Sequence, residues 1–186
     1  MSSSRQQRLN ELETLVLKNP HTIDNLSGVP FVVFPYDPDK ELAVEDDIES
    51  FVEKLVFNDR DVAEIDLRDT VFTILTEQKL LESVIDVEKN RPGELREGLN
   101  AAFFEEFGDN RGELIESLLS QIEDNDIAVI YRCGILYPFS SLSVILGQLE
   151  NIVKTPVIIF YPAVKENKNL RFLDETEGHY YRAKVI

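Results

Sequence analysis

Two runs of the chain read Pro30-Phe-Val-Val-Phe-Pro-Tyr36 and Pro156-Val-Ile-Ile-Phe-Tyr-Pro162. Both are apolar, rich in β-forming residues and bounded by proline. An apolar run of this length is too short for a helix and is typical of a strand buried on both faces, as strands of parallel sheets are. We therefore predict two central strands of a parallel sheet.

Further strands alternate with helices around these two runs. Residues 62–66 and 127–133 predict two more strands, and the chain closes with a β-rich segment at residues 180–186. Strands that alternate with helices form parallel sheets with helices on both faces. The sequence thus predicts a single three-layer α/β domain over residues 1–186, with a mostly parallel sheet of about five strands.

Apolar residues at helical spacing predict the helices of this domain. An N-terminal helix is expected within residues 1–20, and another over residues 42–57. A further helix is expected to carry one apolar stripe formed by Val71, Ile74, Leu75, Leu81 and Ile85. Residues 90–125 are expected to form a helical insertion between strands two and three.

The charge of the chain is strongly negative and uneven. Nineteen basic and 35 acidic residues give a net charge of −16. Residues 1–126 hold 30 acids and 12 bases, whereas residues 127–186 hold 5 acids and 7 bases. Clustered lysine and arginine, which nucleic-acid phosphates require, are missing, so direct DNA binding is disfavoured. The acidic surface indicates either a basic partner or solvated helix faces.

Several classes of protein are disfavoured by composition. The single cysteine cannot form an internal disulfide, and His21 and His179 are too few for a zinc cluster. The longest apolar run, at residues 156–162, is far shorter than a membrane span, and the first residues do not resemble a signal peptide. We expect a soluble, cytoplasmic protein without a metal site.

Nucleotide binding in its usual mode is also disfavoured. Gly93 and Gly98 have the glycine spacing of a P-loop, but Leu99-Asn100 follows where Lys-Ser/Thr is required. The glycine pattern of dinucleotide-binding folds is missing after the first strand. The sequence therefore predicts no cofactor.

The candidate site consists of residues that follow the strands, because ligands of open parallel sheets bind at the carboxyl ends of the strands. Most of these residues are not of catalytic types, and no catalytic residue is predicted. The candidate partner-binding or ligand-binding residues are Tyr36, Asp37, Arg132, Gly134, Tyr137 and Tyr161.

Arg132 ends an apolar strand, so its guanidinium must reach solvent or pair with a carboxylate. Asp37 or Asp66, at the ends of other strands, would supply that carboxylate. A structural ion pair is the simpler interpretation. The functional interpretation is a clamp for an anion or for a carboxylate of a partner.

Cys133 and an aspartate cluster are weaker candidates at the same edge. Cys133 with His179 would make a nucleophile and base, but a small buried residue at a strand end is the favoured interpretation. A Mg²⁺ site can be imagined from four acidic residues, namely Asp37, Asp39, Asp66 and Asp69. Acids are so abundant here that such clusters arise by chance, and Asp66 or Asp69 can equally cap the next helix. No metal is assigned.

Six strings that span nearly the whole chain carry a family resemblance. They are Phe31-Val-Val-Phe-Pro-Tyr-Asp-Pro38, Cys133-Gly-Ile-Leu-Tyr-Pro-Phe139, Leu146-Gly-Gln-Leu149, Pro156-Val-Ile-Ile-Phe-Tyr-Pro162, Leu170-Arg-Phe-Leu173 and Tyr180-Tyr-Arg182. In order and spacing they resemble the BrxB proteins of the BREX bacteriophage-defence systems. The chain departs from the family pattern at Cys133, Ile135 and Ala163, which further disfavours a role for the cysteine.

The resemblance implies a subunit of a complex that methylates host DNA and blocks phage replication. Family members are thought to work beside a DNA methyltransferase, a large ATPase and PglZ, a subunit resembling alkaline phosphatases, with PglZ the expected direct contact. No enzymatic activity is established for the family. We therefore expect a non-catalytic adapter that reaches DNA only through its partners. The alternative is a degenerate nucleotide-binding or phosphotransfer-like enzyme with its site at Asp37, Arg132 and Tyr161.

Overall fold

The computed structural model describes residues 4–18, 23, 28–105, 111–166, 169–172, 175–177 and 182–186. The helices of these parts are α1 (Arg5–Lys18), α2 (Glu41–Phe57), α3 (Leu67–Glu77), α4 (Leu81–Asn90), α5 (Pro92–Phe104), α6 (Glu113–Ile122) and α7 (Leu142–Leu149). The strands are β1 (Phe31–Tyr36), β2 (Val62–Asp66), β3 (Ile127–Tyr131), β4 (Val157–Pro162), β5 (Val164–Glu166), β6 (Asn169–Phe172), β7 (Glu175–Glu177) and β8 (Lys184–Val185). Short 3-10 turns follow β1 at Pro38–Lys40 and β3 at Cys133–Leu136.

The main sheet is parallel and contains the two apolar runs at its centre. Its five strands have the order β2-β3-β4-β1-β8. Strands β1 and β4 pair over their whole length, from Phe31 opposite Val157 to Tyr36 opposite Pro162. All residues of both strands are buried, which explains their continuous apolar sequence. The predicted α/β sheet of about five strands is confirmed.

Helices cover both faces of this sheet, as predicted. On one face α1 and α2 pack over the alternate strand residues Val32, Phe34, Ile158 and Phe160. Phe160 is fully buried, and its ring lies 5.2 Å from that of Phe34, an aromatic pair of the kind that contributes about 1 kcal/mol beyond its buried area. On the other face α3, α5, α6 and α7 cover the remaining strand residues, among them Val33 and Ile159.

The helical insertion between β2 and β3 is confirmed, but the helix expected to carry both Val71 and Ile85 is divided in two. Helix α3 ends at Glu77, and Lys79 takes a left-handed φ of 56° before α4 begins. The N–H of Leu80 then donates to the carbonyl of Leu75 at 2.8 Å, which closes the end of α3. Ile85 consequently leaves the predicted apolar stripe and is 58% exposed.

Two features complete the carboxyl-terminal part. Strands β5, β6 and β7 form a second, antiparallel sheet in the stretch after β4, where the sequence indicates no regular structure before residue 170. Strand β8 pairs with β1 in the parallel sense, so the last strand runs in the direction of the other four. Within the described residues, no helix has the length and apolar character needed to cross a bilayer.

Candidate functional site

Two hollows lie side by side at the carboxyl edge of the main sheet. The first, which we name the Arg132 groove, has a volume of about 290 Å³. It is lined by Pro38, Glu41, Glu45, Arg68, Arg132, Gly134, Ile135, Pro162 and Phe172. The second, which we name the Arg8 cavity, has a volume of about 460 Å³. It is lined by Arg8, Pro35, Tyr36, Asp37, Ala163, Val164, Lys165 and Ile186.

Arg132 is held by two carboxylates, one from α2 and one from the end of β2. Its Nε donates to Glu45 Oε1 at 2.8 Å, and its Nη1 donates to Asp66 Oδ2. The hydrogen bond to Glu45, followed by the bond to Asp66, raises the pKa of Arg132 above its usual value. The backbone of Arg132 is left-handed, with φ 54°, a conformation that costs a residue other than glycine about 1–2 kcal/mol. The two ion pairs hold the residue in that conformation.

Asp66 and Asp37 serve as structural caps. Asp66 Oδ1 accepts from the N–H of Asp69 at 3.1 Å and caps α3, while its other oxygen binds Arg132. Asp37 Oδ1 accepts from the N–H of Asp39 at 3.1 Å and caps the 3-10 turn after β1. Within the part of the chain that the structure describes, no three carboxylate, imidazole or thiol groups are arranged to hold a metal ion. The four aspartates considered as a Mg²⁺ site therefore form no such group.

Cys133 lies in an environment that opposes a thiolate. The residue is 1% exposed, and burial first, then the charges of Glu41 and Asp66, raises the pKa of its thiol. Its proposed partner, His179, lies outside the described residues. The environment matches a small buried residue, which lies in the 3-10 turn after β3 rather than in the strand itself.

Of the tyrosines and the glycine of the candidate site, Tyr36 and Gly134 line the hollows, whereas Tyr137 and Tyr161 contact the lining residue Phe172. Tyr36 lines the Arg8 cavity, but its hydroxyl donates a hydrogen bond of 2.6 Å to Glu41, which lines the Arg132 groove. Burial and this hydrogen bond raise the pKa of the Tyr36 phenol. Tyr161 is 2% exposed, and Tyr137 is 40% exposed. Both rings contact the ring of Phe172.

Gly134 forms part of the wall of the Arg132 groove. A Cβ atom at this position would lie 3.7 Å from both the Phe172 ring and Pro162, an ordinary van der Waals distance. The position therefore has room for a small side chain, and nothing in its geometry demands glycine.

Arg8 of α1 is a half-buried cation that the sequence did not reveal. Its Nη1 donates to the carbonyl of Pro35 at 2.7 Å and to that of Ile186 at 3.4 Å. Its guanidinium lies 4.7 Å from the centre of the Phe34 ring, a cation–π contact. Burial lowers the pKa of Arg8. Arg8 and Lys165 are the two cations in the wall of the Arg8 cavity, which the carboxylate-bearing Asp37 also lines.

Glu45 and Phe172 are the other site residues that sequence reasoning missed. Glu45 belongs to the polar face of α2, where it is one of several acids, and its sequence gives no sign of a partner in β3. Phe172 follows a polar stretch, although it belongs to the string at residues 170–173. The pairing of Glu45 with Arg132 joins residues that are 87 positions apart, so it can be seen only in the folded structure.

The fold and the site define a three-layer α/β protein whose main strand-end arginine is bound by its own carboxylates. No solved structure is similar to the chain at a significant level. The sequence pattern of the family described as "BREX protein BrxB" matches residues 63–186. A curated BREX protein BrxB from Bacillus cereus (strain H3081.97) is 28% identical over 164 residues, which cover 83% of this chain and 82% of the relative.

The chain belongs to the BrxB family, because the family pattern covers well over half of its residues. The family resemblance recognised in the sequence is thus confirmed. Membership makes the chain a subunit of a BREX defence system, whose other subunits are its partners.

Proposed function

We propose that this chain is a non-catalytic adapter of its BREX complex that binds the PglZ-type subunit directly. In this role it supports phage restriction and host DNA methylation, and it reaches DNA through the other subunits. Contacts with the methyltransferase and ATPase subunits are compatible with the same role.

The observation that carries this proposal is the internal pairing of the polar groups at the strand-end edge. In parallel α/β sheets this edge normally presents polar groups to a substrate. Here Arg132 binds Glu45 and Asp66, Asp66 and Asp37 cap the following elements, and the Tyr36 hydroxyl binds Glu41. A catalytic group must be able to reach a reacting atom, whereas these groups already bind one another.

The charge of the chain supports a protein partner with a basic surface. Helix α2 alone carries six acidic residues and one lysine, a net charge of −5, and it borders the Arg132 groove. An acidic face attracts basic surfaces from a distance and repels nucleic acid. Binding that depends on such charges weakens as salt is added.

The direct test mixes the purified chain with the PglZ-type subunit of the same BREX system, at about 50 mM and about 500 mM salt. We expect a complex of defined stoichiometry, seen by light scattering, that is weaker at the higher salt. An unrelated acidic protein of similar net charge controls for unspecific attraction. Failure to form a complex at either salt would refute the direct contact with PglZ.

A second candidate function is binding of a nucleotide or other small anion, which the Arg8 cavity favours. The cavity lies at the carboxyl ends of β1 and β4 and contains Arg8 and Lys165. Calorimetric titration with nucleotides and Mg²⁺ tests it. The adapter proposal expects no saturable heat, whereas saturable heat that Arg8→Leu removes would promote the second candidate.

A further inference from the structure

The wall of the Arg132 groove contains apolar residues, and two exposed apolar residues neighbour the residues that line it. Ile135, Pro162 and Phe172 line it. Leu42, next to Glu41 in the first turn of α2, is 80% exposed, and Tyr137, whose ring packs edge-on against Phe172 at 5.9 Å, is 40% exposed. Single exposed apolar residues are common on proteins, but a hollow with apolar residues in its wall and beside it is typical of an interaction site.

The size of the groove favours a side chain of a protein partner over a small-molecule ligand. Pockets for cofactors and drug-sized ligands have volumes of about 300–1,000 Å³ and enclose most of the ligand. The groove, at about 290 Å³, is at the small end of that range, and it is wide open to solvent, so it would enclose little of such a ligand. One aromatic or long aliphatic side chain fills a depression of this kind, as the anchor residues of protein interfaces do.

The charges around the groove indicate the sign of the charge that a partner segment should carry. The carboxylates of Glu41 and Glu45 and the guanidinium groups of Arg68 and Arg132 line the groove. With Asp66 and Asp69, which pair with the two arginines, this network of charges has a net charge of −2.

Arg132 is occupied by Glu45 and Asp66, and Arg68 binds Asp69 at 3.0 Å. Glu41 accepts a hydrogen bond from Tyr36 and makes no ion pair with the described part of the chain. Glu41 is therefore the carboxylate of the groove that a cation of a partner would contact.

We infer that the Arg132 groove docks a basic segment of the partner subunit in the BREX complex. The segment inserts one aromatic or long aliphatic side chain over Phe172, between Leu42 and Tyr137, and places a lysine or arginine beside Glu41. This inference rests on the proposed adapter function and adds to it the contact surface and the chemistry of the segment.

Site-specific photo-crosslinking in cells that express the whole defence system tests the surface without assuming which subunit binds. Benzoylphenylalanine replaces Leu42 or Tyr137 in the groove. The matched controls are Phe57, which is 88% exposed at the far end of α2, and Ile152, which is 40% exposed like Tyr137. We expect crosslinks from the two groove positions to a segment rich in lysine or arginine.

The outcomes separate this inference from the proposed contact with PglZ. Groove crosslinks to a different subunit of the system would keep the docking surface and refute the PglZ contact. Crosslinks only from Phe57 or Ile152, or none from the groove positions, would refute the docking surface. A crosslinked segment that lacks basic residues would refute the predicted partner chemistry.

Affinity measurements with the captured partner complete the test. We expect Leu42→Ser and Tyr137→Ser each to weaken binding about tenfold, since buried anchors dominate interface energies. Glu41→Gln keeps a hydrogen-bond acceptor for Tyr36, so we expect it to weaken binding about threefold and to reduce the salt dependence. Phe57→Ser and Glu53→Gln, on the same helix, should leave affinity within about twofold. Equal loss with these controls would overturn the inference.

Discussion

Arg132 and Arg8 lie at the same edge of the sheet, but they are held by different kinds of partner. Arg132, whose backbone is left-handed, binds two carboxylates. Arg8 binds two backbone carbonyls and the face of Phe34. Carboxylates neutralise the charge of a guanidinium. Carbonyl dipoles and an aromatic ring orient a guanidinium but do not neutralise its charge. The edge therefore has one cation that is internally neutralised and one that is only positioned.

The largest expected effect follows the removal of the carboxylate that Arg132 shares with α3. Asp66→Ala takes away an ion pair at a part-buried site and the cap of α3, so we expect a loss of about 3 kcal/mol in the free energy of unfolding. Urea denaturation measures it. Asp66→Asn keeps a cap and loses only the charge, so we expect a clearly smaller loss. Equal losses for both variants would mean that the cap contributes nothing and that the charge accounts for the whole effect.

A smaller effect is expected at the other arginine. Arg8→Leu keeps much of the apolar stem but loses the bonds to Pro35 and Ile186, and we expect a loss of about 1.5 kcal/mol. Because the carbonyl of Pro35, which makes the shorter bond at 2.7 Å, is uncharged, most of this loss should persist from low to high salt when measured by urea denaturation. A loss that shrinks strongly with added salt would indicate a carboxylate partner and contradict the contrast between the two arginines.

Lys79 has a left-handed backbone like that of Arg132, with a φ of 56° against 54°, and so serves as a control for backbone strain. Lys79→Gly removes the strain of a side chain in this conformation, so we expect a gain of about 1 kcal/mol in unfolding free energy. Arg132→Gly relieves the same strain but loses both ion pairs, and we expect a net loss. Thermal melting of the two variants decides the matter: two gains would show that the carboxylates do not stabilise Arg132.

The smallest effect concerns Tyr131, whose ring lies 5.7 Å from the Arg132 guanidinium. Burial, with the charge of Glu64, raises the pKa of Tyr131 to about 12. The pKa of this tyrosine is higher in the folded state than the unfolded value of about 10. Its contribution to the free energy of unfolding is therefore fully present below pH 10 and is lost as the pH rises towards 12. Urea midpoints measured from pH 9 to 12 should fall less steeply in Tyr131→Phe. Identical slopes in both proteins would contradict the raised pKa.

The architecture was predictable because the two apolar runs leave few alternatives. Runs such as that of β4, buried on both faces, occur in parallel sheets, and the helical stripes between them supply the covering layers. The ion pair between Arg132 and Asp66 was also among the predicted alternatives, since Asp66 ends β2 and Arg132 follows the neighbouring parallel strand β3.

Other features left no readable sign in the sequence. The division after α3 occurs at Lys79, a residue without the conformational preference of glycine, so no turn signal interrupts the apolar stripe. Strands β5 to β7 are three or four residues long and polar, which is below the length at which alternation is visible. Arg8 binds main-chain carbonyls, which are present at every residue and therefore mark no position in the sequence.

The pairing of β8 with β1 has a consequence for the order in which the chain is completed during synthesis. The hydrogen bond from Arg8 to Ile186 joins residues 178 positions apart, and the N–H of Ile186 donates to Val33. The ribosome releases β1 before β8. The edge of β1 that pairs with β8 therefore stays unpaired until the residues of β8 emerge. An open, apolar strand edge is a template for aggregation. Slow translation of the carboxyl-terminal part would prolong that exposure, and early contact with a partner or chaperone would shield it.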